Sequence, residues 1–207
     1  MEYFIHLAIL FSIYAILALS LNLVVGYTGL LSVTHAAFYG IGAYATAIAM
    51  VSHGWGFFPA LVLGLVASGV ASLLIGLVMS RFKDDYYALA SLGFNVIVFS
   101  VMLNWQDLTR GPLGIPGIGR PEFLGIDFSE NYNFLLLCLA VLLVIYILSR
   151  IITRSSFGRV LKAIREDEKA IRVFGYQTHH YKLAIFVIGA MLAAVAGSLF
   201  ASYITFI

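Results

Sequence analysis

Ser32 and His35 stand three residues apart, so on a helix a hydroxyl and an imidazole would share one face. That pair could serve as a nucleophile and its base. It would also need a carboxylate to orient the imidazole and donors to receive an oxyanion. Between Tyr3 and Ser80 there is no Asp or Glu, so the pair reads as polar groups bonded between helices. Asp84 and Asp85 are adjacent acids, but Arg81 and Lys83 precede them and a solvated turn accounts for all four. The single cysteine, Cys138, sits in an apolar run. The chain has no His-Glu-x-x-His, no phosphate-binding Gly-x-x-x-x-Gly-Lys loop and no Cys/His cluster of metal-ligand spacing. It is therefore not expected to be an enzyme, nor to bind a metal or cofactor of its own. The polar groups within its apolar stretches are neutral, among them Asn22, Ser32, Thr34, Asn95 and Asn104. Ion-coupled carriers keep ionisable groups at that depth, so energy for any transport is expected to arrive from outside the bilayer.

These groups must be positioned by elements that live in lipid. Residues 3–80 carry no Asp, Glu, Lys or Arg, whereas about a quarter of an ordinary chain is charged. Hydrophobic residues make up 62% of the whole chain and charged ones 11%, with a mean hydropathy of +1.00. Apolar windows fall at 3–25, 36–53, 59–80, 86–104, 132–150 and 183–207. Each is near the ~20 residues that cross a bilayer core of about 30 Å. No stretch alternates with the period of a barrel strand. The expected fold is all-α, a polytopic transmembrane bundle of about six spans. Residues 26–35 are uncharged yet break the helical pattern. Irregular backbone at membrane depth must be buried in protein or line a cavity, so an interrupted or re-entrant element is expected near 26–44.

Eight of the Lys/Arg residues lie in 150–182, which the positive-inside rule places in the cytoplasm. Alternation then puts 81–85 inside, and 54–58, the Gly/Pro-rich loop 105–131 and the N-terminus outside. Trp55 and Trp105 fall at the outer interface, where indoles prefer to sit. Small residues recur every fourth position at Gly64, Ser68, Ser72 and Gly76, and again at Gly189, Ala193, Gly197 and Ala201. Beside the second row run Ala190, Ala194, Ser198 and Ser202. Such stripes let helices approach closely, within one chain or across a dimer.

Within 150–182, helical spacing gathers Val160, Ala163, Ile164, Ala170, Ile171 and Phe174 on one face. Arg159, Lys162, Arg165, Glu166, Lys169 and Arg172 take the other. Asp167 interrupts the apolar face, which predicts two short helices. Glu168 is one turn from both Arg165 and Arg172, and Gly175 can end the second helix in a left-handed cap. An amphipathic element here could lie on the anionic leaflet or insert into a partner's groove. The acids among the bases favour the partner.

Three segments together resemble the branched-chain amino-acid ABC importer permeases of the LivM type. They are the run Leu21 to Tyr44, LNLVVGYTGLLSVTHAAFYGIGAY; the run Leu108 to Ile118, LTRGPLGIPGI; and Ser156 to Glu168, SFGRVLKAIREDE, with Ala170, Gly175, Tyr181, Lys182 and Leu183. The resemblance implies an integral, multi-pass protein of the bacterial cytoplasmic (inner) membrane that moves branched-chain or related amino acids by alternating access. It implies as partners a homologous permease subunit, two cytoplasmic ATPase subunits that bind the ATP and magnesium, and an extracytoplasmic solute-binding protein facing the outer loop. By the same likeness, Gly158, Arg159, Ala163, Ile164, Glu166, Glu168, Ala170 and Gly175 belong to the coupling loop, 151–182. Asn22, Gly26, Gly29, Ser32, His35, Gly40, Gly42, Tyr44 and Asn95 are translocation-path candidates. Thr34 departs from the glycine usual in relatives. The family's length implies that 1–207 is a single permease domain truncated at its C-terminus. Urea or another short amide is the alternative substrate within the family; a passive channel or secondary carrier is the alternative of another class.

Overall fold

The computed structural model describes residues 2–30, 32–79, 82, 84–123 and 126–207. Their order is α1 (Glu2–Leu21), which widens into a π-helical turn (Asn22–Gly26), then α2 (His35–His53), α3 (Phe57–Met79) and α4 (Asp84–Asn104). After α4 come a single turn α5 (Gln106–Thr109), a 3-10 turn (Gly111–Leu113), and the paired strands β1 (Glu122–Phe123) and β2 (Ile126–Asp127). The chain continues through α6 (Asn131–Arg154), the short α7 (Ser156–Glu166) and α8 (Glu168–Val173), and ends with α9 (Thr178–Ile204). The expected hairpin at 81–85 falls partly on Arg81 and Lys83, which lie outside the described residues.

The protein is an all-α, polytopic helix bundle. Five described helices are long and apolar enough to cross a membrane: Glu2–Gly26, Phe57–Met79, Tyr86–Asn104, Asn131–Arg154 and Thr178–Ile204. The remaining expected span is α2, whose 19 residues match a span in length but are less apolar, with His35 and His53 at the ends and Thr46 within. The reason is position: α2 packs chiefly on α3 and α9, so much of its surface meets protein rather than lipid. At ~1.5 Å per residue the 27 residues of α9 run about 40 Å, more than the hydrocarbon core. Its first turns therefore project beside α7 and α8.

Both small-residue stripes face inward. Gly64, Ser68, Ser72 and Gly76 are all buried on α3, and Gly189, Ala193, Gly197 and Ala201 on α9. The contacts are backbone to backbone. A Cβ at Gly197 would fall 1.9 Å from the Tyr39 carbonyl oxygen, and one at Gly42 would fall 2.4 Å from Cα of Ala194. Hydroxyls join the same seam: Thr46 and Ser198 share a 2.7 Å hydrogen bond, and Ser68 donates to the Ala190 carbonyl at 3.0 Å. The stripes thus serve packing within the chain. Around this α2–α3–α9 core, α1 packs on α6 and α9, while α4 lies at the periphery: 61% of α9's most apolar stretch is buried against 11% of α4's.

The loop after α4 is more ordered than its Gly/Pro content predicts. Backbone hydrogen bonds join Ile115 to Ile207 and Gly117 and Ile118 to Thr205, so the loop closes over the end of α9. Trp55 and Trp105 are half exposed at the junctions flanking α3 and α4.

Gly197→Ala should separate α2 from α9 and cost about 1–3 kcal/mol. Gly93→Ala, whose added Cβ meets nothing within 4 Å inside α4, should not lower stability and should raise it by up to about 1 kcal/mol. Thermal unfolding of the two variants in detergent checks the pair.

Candidate functional site

The polar and irregular residues singled out by the sequence gather around the end of α1. The π-turn widens the helix at Asn22–Gly26, and helical hydrogen bonding ends with the Gly29 amide on the Val25 carbonyl at 3.0 Å. Gly29 adopts φ +72°, a left-handed conformation that favours glycine. The Leu30 amide, which would close the next turn on the Gly26 carbonyl, instead donates to Thr28 Oγ1 at 3.3 Å. Thr28 in turn donates to the Val24 carbonyl at 2.6 Å. Ser32 and Thr34 hydroxyls are 2.7 Å apart, and the Val33 amide donates to Ser91 Oγ on α4 at 3.1 Å. Side chains thus replace the lost backbone partners, as low-dielectric surroundings require. Leu31 lies outside the described residues.

Ser32 and His35 do not share a helix face, because α2 begins only at His35. Ser32 bonds Thr34 rather than the imidazole. His35 is buried, with no hydrogen-bond partner for either ring nitrogen among the described residues. Its Nε2 and the Ser20 carbonyl both lie beside Gly189. The other path candidates disperse. Asn22 folds against Gly26, Gly40 meets Met102 of α4, Gly42 meets α9, Tyr44 packs toward Ile115 and Ile118, and Asn95 is half-buried on α4.

Beneath the break lies the amphipathic pair. Two short helices form as predicted, with Asp167 between them. Its carboxylate accepts from the Lys169 and Ala170 amides at 2.9 and 3.0 Å, capping α8. Ser155 caps α7 by accepting from Gly158 at 3.3 Å. Gly158 is tightly seated, since a Cβ there would lie 2.5 Å from the carbonyls of Ile152 and Thr153. Gly175 ends the pair at φ +86°. The expected apolar face turns inward for most of its length: Ile164 is buried and Val160, Ala163, Ala170 and Ile171 are half-buried. Leu161 adds to it and joins Leu23 and Ile185, with Tyr27, Ile152, Phe157 and Tyr181 packed around them. Phe174, expected on the same face, is 77% exposed, as is Val173 at 86%. A single helical register does not extend across the backbone of Asp167 (φ −151°), which separates α8 from α7.

Glu168 anchors α8 to α9. It accepts from Arg172 and Lys182 at 2.5 Å each and from Thr178 at 2.9 Å. Partial burial pushes its carboxyl up, but hydrogen bonds from Lys182, Thr178 and Arg172 outweigh this and hold it below the usual 4.5. Arg165, the other expected partner of Glu168, reaches the Gly26 carbonyl instead. Spacing could name Arg172; Lys182 and Thr178, 14 and 10 residues on, were beyond its reach.

Residues 3–207 match the family model described as branched-chain amino acid transport system / permease component. The chain belongs to this family. It is 35% identical to the high-affinity branched-chain amino acid transport system permease protein LivM of Salmonella typhimurium, and 35% identical to LivM of Escherichia coli K12. In each case the match covers 96% of this chain and 52% of the relative. It is 28% identical to BraD of Pseudomonas aeruginosa, over 91% of this chain and 66% of that protein. The chain therefore spans about half the length of the LivM relatives it matches. No solved structure matches it. Family and helices together make it an integral, multi-pass protein of the inner membrane.

Because the Glu168 carboxyl is depressed, its contribution is present above about 4.5 and lost as pH falls through the lowered value. Acidification should therefore lower the hydrogen-exchange protection of the amides of 168–173, once each rate is divided into the intrinsic rate at that pH. Glu168→Gln should do so already at pH 7, and Asp167→Ala should cost α8 about 1 kcal/mol.

Proposed function

We propose that this chain is the membrane-spanning permease subunit of an ATP-driven importer for branched-chain or related amino acids. The observation that carries the reading is the α7–α8 segment. It is basic, packed on one side against the bundle, and presents Val173 and Phe174 outward on the other. An exposed apolar pair on a charged helix suits insertion into a partner's groove. Two cytoplasmic ATPases are the proposed occupants, and ATP with its magnesium ion is bound and hydrolysed there. This chain supplies no bond chemistry.

The cycle follows from two packed states of the bundle. ATP closes the ATPases, the docked segments move with them, and the helices open toward the other side. A homologous permease subunit completes the path. An extracytoplasmic solute-binding protein meets the face formed by the 105–130 loop and the end of α9. Both names and likeness point to branched-chain substrates, since the LivM and BraD relatives are named for that transport. The path candidates between Asn22 and Tyr44, with Asn95, retain their proposed role near the solute route, and 1–207 is proposed to be one permease domain.

Phe174→Asp tests the docking. Because the side chain is 77% exposed, bundle stability should change by no more than about 0.5 kcal/mol. Co-purification of the ATPases and uptake of labelled leucine, in cells carrying the whole transport system, should each fall about tenfold. Unchanged retention of the ATPases rejects the docking face. Uptake that follows a proton or sodium gradient and ignores vanadate rejects the ATP-driven mechanism. Uptake of urea in place of leucine reassigns the substrate.

A further inference from the structure

The underside of the interrupted helix is held by three residues of α7. The Arg165 guanidinium donates to the Gly26 carbonyl, 139 residues away in sequence. Lys162, about one turn earlier, holds its ammonium 5.3 Å from the centroid of the Tyr27 ring. Leu161 is buried with Leu23, and a Cβ on Gly29 would touch Arg165 Cγ at 3.4 Å. The Gly26 carbonyl is the chemically apt handle. The Leu30 amide, its helical partner, donates to Thr28 instead, so among the described residues Arg165 takes up this oxygen at the negative end of α1. A guanidinium bound there grips main chain, and whatever moves α7 pulls the backbone at the break.

The other attachment of the segment leads elsewhere. Glu168 ties α8 to Thr178 and Lys182 on α9, whose later turns are locked to α2 by the close approach at Gly197. A locked helix moves only as a body. Between Gly29, whose amide still bonds the Val25 carbonyl, and the start of α2, the described residues are held mainly by side-chain hydrogen bonds and can shift at lower cost. We propose that Arg165 is the transmission residue of this permease, a positioning residue that carries displacement of the docking segment into the α1–α2 break. The proposal rests on the reading of α7–α8 as the element that docks the ATPases.

The test uses the permease with its partners, reconstituted in proteoliposomes, with Arg165→Ala, Arg165→Lys and Arg150→Ala. Arg150 is the control, an exposed cation on α6 outside the 151–182 loop. For Arg165→Ala the ATPases should co-purify as in the parent. Solute moved per ATP hydrolysed should fall about tenfold, and amides of 27–30 should exchange about tenfold faster. Arg165→Lys should recover at least half of each loss, and Arg150→Ala should leave all three readouts unchanged. Unaltered transport or unaltered exchange in Arg165→Ala overturns the proposal. So does loss of the ATPases from that variant, which would make Arg165 a docking contact. If Phe174→Asp shows that the segment docks nothing while Arg165→Ala still speeds exchange, the tie is structural only; the docking reading and the transmission role then both fall, although the contact itself survives.

Discussion

Lipid gives helices no hydrophobic reason to associate, so a bundle in a membrane depends on how closely its backbones can approach. Here that approach is made along α2, α3 and α9. Gly197 lets the Tyr39 carbonyl come where no side chain could fit, Gly42 does the same for Ala194, and Gly64 admits Thr46 and Ser198. The hydrogen bond between Thr46 and Ser198 and that from Ser68 to Ala190 follow from the proximity. Every other feature hangs on this seam. It makes α2 a protein-buried helix that can carry histidines and a threonine, and it makes α9 a rigid post reaching from the basic segment to the Gly/Pro loop.

The break between α1 and α2 is the complement of that rigidity. A discontinuity in hydrocarbon is tolerated only where its polar groups find partners. Thr28, Ser32, Thr34, Ser91 and Arg165 supply them from three parts of the chain: the break itself, α4 and α7. The result is a segment held mainly by side-chain hydrogen bonds, lying between a locked core and a segment with exposed apolar tips. A transporter needs both kinds of element, since a body that must switch between two packings requires somewhere to bend.

Much of this could be read along the chain. Absence of charge from 3 to 80 announced helices in lipid, because hydration of a charge is unavailable there. Asp167 announced a break between two short helices, because its side chain competes for backbone amides; Gly175 announced a left-handed stop, because glycine has no Cβ to oppose it. The pairing of Glu168 with Arg172 followed from one turn of helix. These are local consequences of 3.6 residues per turn and of side-chain chemistry, and they needed no knowledge of the neighbours.

Tertiary structure alone decided which face each helix turns inward and which distant atoms meet. Leu161 lies against the bundle because Leu23 and Ile185 meet it there, and Phe174 points away because the extended backbone at Asp167 breaks the register between α7 and α8. Arg165 leaves Glu168 for Gly26 because the Leu30 amide turns from that carbonyl to Thr28, and Glu168 turns to Lys182 and Thr178 because α9 projects past the lipid beside it. The residue types set what each segment could bond to; only the packed chain brought together partners separated by 139 positions, since no periodicity extends across the intervening helices.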